Sequence, residues 1–231
     1  MSIPNGSDPY YQDELVTLYH GDCLDLADVW IGADVLVTDP PYGIGWKKPK
    51  LPANRALGRG EQVSHDGIVN DATTEARDAV VELWGNKPFV MFGSPVATLP
   101  AGTGQVLVWQ KPSQLGFMGT VGGFRRDWEA IYLGGKWPKS TARESGVIRL
   151  SDSQEYLRVG HPHAKPVGLM ERLIDASPNG VVIDTFSGSG STLVAARNLG
   201  RKVIGVEFEE RYCEIIAKRL DQYALDFGGV Q

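Results

Sequence analysis

The chain has 231 residues, 42% hydrophobic and 22% charged, an ordinary globular composition that excludes a disordered tail, a collagen and a coiled coil. Lys and Arg number 23 against 28 Asp and Glu, and this net charge of −5 excludes an all-over basic coat for nucleic acid while leaving room for a local basic patch. No stretch approaches the roughly 18 apolar residues of a membrane span, residues 1–13 are polar without a signal-peptide core, and Cys23 and Cys213 have neither disulfide-framework nor zinc spacing, so a reducing cytoplasm is the expected compartment.

Residues 15–19 read as a strand and 23–29 as a short helix. Residues 34–38 (DVLVT) form an apolar strand that must stop at Asp39-Pro40-Pro41, because two prolines cannot continue a central strand. Residues 43–70 repeat Gly and Pro, carry Lys47, Lys48, Lys50, Arg55 and Arg59, and hold no acid between Pro40 and Glu61. This is a long loop, of the kind that is functional or disordered in a compact domain.

A helix is predicted over 73–84, capped by Thr73 or Thr74, followed by strands at 89–92, 106–109 and 128–133. Residues 138–158 are polar and carry no regular pattern. Val167, Met170, Leu173 and Ile174 stand at helical spacing within 165–176, where Pro166 fits the first turn. A strand over 181–183, a helix over 191–199 closed by Gly200, a strand over 203–206 and a helix over 209–220 complete the chain. Apolar strands alternating with helices imply a parallel sheet covered by helices. No repeat and no domain boundary is visible, so residues 1–231 are expected to form one catalytic domain.

Two motifs carry chemistry. Asp184-Thr185-Phe186-Ser187-Gly188-Ser189-Gly190-Ser191-Thr192 follows an apolar strand and opens a helix. Its glycines let a ligand approach the backbone, and the helix start favours a negative group. Glu207, at the end of the next strand, is placed to accept hydrogen bonds from ribose hydroxyls. The unit reads as a nucleoside-cofactor site for a dinucleotide or for S-adenosylmethionine. Leu193 at the third glycine position of GxGxxG counts against the dinucleotide. The second motif is Asp39-Pro40-Pro41-Tyr42. The Asp carboxylate and the Pro40 carbonyl offer two acceptors beside the Tyr42 ring, which suits a planar amine.

Together these residues resemble the amino-group DNA methyltransferases of the β arrangement, in which Asp-Pro-Pro-Tyr precedes the cofactor motif as it does here. Gly21-Asp22-Cys23 resembles the family's adenine-contacting segment, His161-Pro162-His163-Ala164-Lys165-Pro166 its HPxxKP stretch, and residues 203–220 its ribose-binding strand and helix. Thr185 departs from the family's usual Pro, and HPHAKP from its HPTQKP. The resemblance implies a Rossmann-like S-adenosylmethionine-dependent methyltransferase fold, with a mixed, mostly parallel sheet and helices on both faces. It implies methyl transfer to an exocyclic amine of a flipped-out base in double-stranded DNA, with adenine N6 favoured by Asp-Pro-Pro-Tyr and cytosine N4 the alternative.

The roles it implies follow motif by motif. Asp39, Pro40, Pro41 and Tyr42 form the catalytic group. Asp22 meets the cofactor's adenine with Cys23 beside it, Glu207 its ribose, and Phe208 packs on the adenine. Asp184, Phe186, Gly188, Ser189, Gly190 and Thr192 line its remainder, and Lys165 reaches its carboxylate. DNA contacts are expected from Lys47, Lys48, Lys50, Arg55, Arg59, Arg125, Arg126 and Lys136, with Lys139 and Arg143 as further candidates. Residues 137–160 are the expected short target-recognition insertion.

No metal is needed. A carbon-5 cytosine reaction would need a nucleophilic cysteine in a catalytic loop, and neither Cys23 nor Cys213 follows a proline in one. The family also admits a homodimer and a separate cognate restriction endonuclease, in the cytoplasm of a bacterium or of a phage's host. Competing readings are the same chemistry on RNA, a non-catalytic DNA-binding protein of this fold, and a nicotinamide oxidoreductase, which leaves Asp-Pro-Pro-Tyr unexplained.

Overall fold

The computed structural model describes residues 8–45, 71–111, 127–137, 145–149 and 164–227. Within them nine strands form one sheet: β1 (Tyr11–Gln12), β2 (Val16–His20), β3 (Val35–Thr38), β4 (Phe89–Gly93), β5 (Thr103–Gln110), β6 (Trp128–Gly134), β7 (Val147–Arg149), β8 (Val182–Asp184) and β9 (Val203–Glu207). Their order across the sheet is β1-β2-β9-β8-β3-β4-β6-β5-β7. The run β2-β9-β8-β3-β4 is parallel, β6 lies antiparallel between β4 and β5, and β1 is antiparallel to β2. The sheet is thus mixed and mostly parallel, as expected.

The central strands are apolar throughout because both faces are covered. Val35 and Val37 pack on one face with Leu169, Leu173, Val194 and Ile216. These come from α3 (Val167–Ala176), α4 (Ser191–Asn198) and α5 (Glu210–Phe227). Leu36 and Met91 pack on the other face with Trp30, Val80 and Trp84, from α1 (Ala27–Trp30) and α2 (Glu75–Trp84). Trp30 and Trp84 lie 6.2 Å apart between ring centroids, and their indole N–H groups donate to the Cys23 and Pro88 carbonyls.

The predicted strands and long helices are found, with shifted ends. The first helix begins at Ala27 rather than residue 23, β5 is eight residues long, and α5 runs to Phe227. Neither Thr73 nor Thr74 closes α2 with a strong side-chain cap: the Thr74 hydroxyl instead donates to Asp78 Oδ2 at 2.7 Å. Two strands have no counterpart in the sequence reading. β1 has two residues and β7 three, too few for a periodicity to appear. β7 lies inside the segment expected to be a target-recognition insertion, and it pairs with β5 as the sheet's edge strand.

The connections fix where a ligand site must lie. From β3 the chain passes through α2 to β4 on one side, and from β8 through α4 to β9 on the other. The gap between the ends of β3 and β8 is the topological switch point, where open α/β sheets bind ligands. Because β6 runs backwards, its first residues, Trp128 and Glu129, stand on the same edge as the last residues of β3 and β4.

Candidate active site

The chain leaves β3 at Thr38 and reaches Asp39 through Tyr42 on this edge. Tyr42 Oη donates to Asp39 Oδ1 at 2.8 Å, and Glu129 Oε2 lies 3.4 Å from the same oxygen. Lys165, two residues before α3, places Nζ 2.5 Å from Asp39 Oδ2, 3.3 Å from Glu129 Oε2 and 3.3 Å from Tyr42 Oη. Its ammonium sits 4.8 Å from the centroid of the Phe92 ring, a cation–π contact that supports it from below. Lys111, just past β5, forms an ion pair with Glu129 Oε1. Two lysines therefore alternate with two carboxylates around one phenol.

Burial and pairing set the ionisation of this group. Burial works to lower the Lys165 pKa, but the Asp39 and Glu129 carboxylates outweigh it and push it above the ordinary lysine value. Burial would raise the Glu129 carboxyl, yet Lys165 and Lys111 hold it at about 2. The Tyr42 phenol is pushed well above its usual value by burial and by the two carboxylates, so it remains a neutral donor. Lys165 and Glu129 are therefore both charged at neutral pH.

The second half of the site is the turn after β8. Gly188 and Gly190 take φ of 51° and 78°, and a Cβ on Gly190 would stand 2.9 Å from Ile216 Cγ1. Only glycine lets this turn lie against α5. The Gly188 amide donates to Glu207 Oε2 at 2.7 Å and the Glu209 amide to Oε1 at 2.8 Å. Glu207 therefore spends one lone pair of each oxygen on the backbone and keeps one on each. Burial pushes its carboxyl up to about 7 against these two bonds. The Gly21 amide donates to the Glu207 carbonyl at 2.9 Å, which sets Asp22 beside it at the end of β2. Asp22 Oδ1 accepts from the Leu24 amide.

Asp184 is the last residue of β8. Its carboxylate is buried and accepts from Thr38 Oγ1 at 2.7 Å and from the Phe186 amide at 3.1 Å. It ties the strand that carries Asp39 to the turn that carries the glycines, and burial pushes it up to about 6. Lys165 stands with Asp39 and Glu129. Ser189 and Thr192 are buried in the turn, Phe186 is half-buried, and Cys23 and Cys213 are packed in the core. Phe208 is 54% exposed, which leaves its ring open to a ligand.

Of the basic residues expected to meet DNA, Lys47, Lys48, Lys50, Arg55, Arg59, Arg125, Arg126, Lys139 and Arg143 lie outside the described residues, as do Trp46 and His163. Lys136 is described and exposed. It follows the last residue of antiparallel β6, opposite the start of β4, on the far edge of the sheet from Asp39. Trp109 is in the core, edge-on to Phe92.

The sequence reading missed Glu129, Lys111, Thr38, Asp71 and Arg219. Asp71 accepts from the Gly43 amide at 2.9 Å through Oδ1 and from the Gly45 amide at 2.6 Å through its carbonyl. Arg219 of α5 is buried and donates to the Ser189 carbonyl at 3.0 Å, holding the glycine turn from behind. A signal did exist for Arg219, a basic residue beside the apolar Ile216 and Leu220 of its helix, but it belongs to no motif. Among the described residues no group of three or more His, Cys, Asp or Glu could hold a metal ion.

Comparisons with known proteins point to one family. The family model described as "DNA methylase" matches residues 103–218, just over half of the chain. The type II methyltransferase M.ScaI of Streptomyces caespitosus is 28% identical, over 94% of this chain and 84% of that protein. The type II methyltransferase M2.LlaDCHI of Lactococcus lactis subsp. cremoris is 47% identical over a shorter stretch, 28% of this chain and 24% of that protein. Among solved structures, the complex of M1.HpyAVI with SAM superposes with a TM-score of 0.62 at 22% identity, over 90% of this chain and 100% of that one. The PvuII cytosine-N4-specific DNA methyltransferase superposes with a TM-score of 0.66 at 17% identity, over 92% and 88%.

Proposed function

The chain belongs to the DNA methylase family, whose members act on N6 or N4 amino groups, and from that premise we propose that it transfers a methyl group from S-adenosylmethionine to the N6 amine of adenine in DNA. The observation that carries this reading is the placement of Asp39-Pro40-Pro41-Tyr42 at the switch point, beside the glycine turn whose Gly188 amide is bound by Glu207.

The residues present fit the cofactor. Each Glu207 oxygen keeps one lone pair after its backbone donor, and two vicinal ribose hydroxyls are matching donors. Asp22 lies beside Glu207 to receive an adenine amine, and the exposed Phe208 ring offers the adenine a face. Phe186, Gly188, Ser189, Gly190 and Thr192 line the remainder of the site. When bound, S-adenosylmethionine supplies an electrophilic sulfonium methyl.

The chain's own part is positioning and electrostatics. An aromatic amine is a poor nucleophile because its lone pair is delocalised into the ring. Asp39 accepts one N–H and the Pro40 carbonyl the other, and both bonds favour a more tetrahedral nitrogen with its lone pair directed at the methyl. Asp39 is also the acceptor placed to receive the proton that the amine loses. Tyr42 is held by Asp39 and stacks on a base taken out of the duplex. The basic segment 47–59 and Arg125–Arg126 supply phosphate contacts, which give affinity without reading sequence. The likeness to type II methyltransferases supports a role in a restriction–modification system.

The test is incubation with radiolabelled S-adenosylmethionine and unmethylated genomic DNA, followed by nucleoside chromatography. Label in N6-methyldeoxyadenosine is the expected result. Label in N4-methyldeoxycytidine keeps the mechanism and changes the base. Cofactor binding without label in either nucleoside overturns the proposal.

A further inference from the structure

Asp39 does not stand alone, and its neighbours suggest how it is held. Tyr42 Oη lies within 3.4 Å of both Asp39 and Glu129, so two carboxylates converge on one phenol that has a single proton to give. Two ionised carboxylates this close repel each other unless a cation lies between them. Lys165 is that cation: it is 8% exposed and touches Asp39, Glu129 and Tyr42. Glu129 in turn is tied to Lys111 on the neighbouring strand. The four charges sum to zero, and their carriers come from three separate strand ends and from the approach to α3.

We infer that Lys165 and Glu129 are positioning residues for methyl transfer: Lys165 fixes the Asp39 carboxylate at the place of the target amine, and Glu129 fixes Lys165. The inference rests on the reading of Asp39 given above. It moves Lys165 from the cofactor's carboxylate to the acceptor side of the reaction. It also gives the antiparallel direction of β6 a use: a parallel strand in that place would put Glu129, its second residue, on the opposite edge.

The charge balance makes a prediction that a merely structural role does not. In Lys165→Met, Lys111 still pairs with Glu129 but no cation lies between the two carboxylates, and Asp39 must turn away. A displacement on that scale lowers kcat by about 10²-fold. Glu129→Gln, which leaves Lys165 free to shift, lowers kcat less. In the double variant Lys165→Met/Glu129→Gln the uncompensated pair is gone, so activity recovers by about tenfold over Lys165→Met, the size of coupling seen between charges in contact. Lys165→Arg keeps the cation and retains most of the activity.

The experiment measures kcat, KM for DNA and calorimetric Kd for S-adenosylmethionine in the wild type and these four variants, with thermal unfolding as a check on folding. Support consists of a fall in kcat at unchanged cofactor Kd, together with recovery in the double variant. A tenfold rise in cofactor Kd at unchanged kcat would assign Lys165 to the cofactor, and single effects that simply multiply would make the two residues independent; either result overturns the inference. If Lys165→Met does not fold, Glu129→Gln and Lys165→Arg carry the same test through the split between kcat and Kd. Wild-type protein that binds cofactor but methylates no DNA overturns the underlying function instead, and the two failures are thereby distinct.

Discussion

Four carboxylates stand along one edge of the sheet, and they divide into two pairs with opposite electrostatics. Asp39 and Glu129 meet lysine ammonium groups, and Glu129 is held at about 2. Asp184 and Glu207 meet only hydroxyls and backbone amides, and burial pushes them to about 6 and about 7. In the first pair Glu129 is held ionised by Lys165 and Lys111 before any ligand arrives. The second pair keeps hydrogen-bonding capacity without a counterion, which suits neutral hydroxyls and leaves the positive sulfonium free of a competing lysine. One edge thus holds a rigid charged half and a half that titrates near neutrality.

The sharpest way to break this division is Asp39→Ala. Methyl transfer should fall by about 10³-fold, the scale of removing a group aimed at the reacting centre, while calorimetry finds cofactor Kd within about twofold of wild type, since the change lies on the charged half. A variant that retains activity would remove Asp39 from the reaction. Glu207→Gln is the mirror experiment. Loss of a charged acceptor for two hydroxyls is worth about 1.5–3 kcal/mol, so cofactor Kd should rise about 10- to 100-fold, with the single-turnover rate at saturating cofactor nearly intact.

The titrating half also predicts a pH response. Hydroxyl donors prefer ionised Glu207, so cofactor binding should weaken as pH falls through about 7 and flatten in Glu207→Gln. Stability of the ligand-free protein should move the other way. The folded values of Glu207 and Asp184 are raised, so the stability they confer is full below the unfolded carboxylate range and is lost as pH rises through about 6 to 7. Thermal unfolding from pH 5 to 8, with and without S-adenosylmethionine, measures both slopes. The smallest effect is expected from Thr38→Val, which removes one donor from buried Asp184 and should cost about 1–3 kcal/mol in urea unfolding. A neutral result would mean that Asp184 is satisfied without the strand that carries Asp39.

Much of the fold was legible because both faces of the central strands are covered. Residues 35–37, 89–92 and 182–183 are apolar runs in sequence and buried strands in the structure. β7 was not legible, since of Val147, Ile148 and Arg149 only the middle residue is buried. Asp39, Tyr42 and Glu207 could be found because local motifs announce them. Glu129 could not, because an acid in the run Trp128–Gly134 acquires meaning only when β6 reverses direction and brings its start to the site. The same reversal sends Lys136 away, which charge counting does not reveal. The bond between Thr38 and Asp184 spans 146 positions, which no local spacing reveals.

Asp71 closes a clasp at the base of residues 46–70. The chain departs at Gly45 and returns at Asp71, and the Gly43 and Gly45 amides bind the two ends together within 3 Å. Gly43 adopts φ of 70°, and a Cβ there would stand 2.7 Å from Thr74 Cγ2, so the clasp admits no larger residue without strain. The strand end that carries Asp39 and Tyr42 is thereby fastened to the residues that lead into α2, so the backbone of the catalytic motif is anchored from its far side as well as from β3.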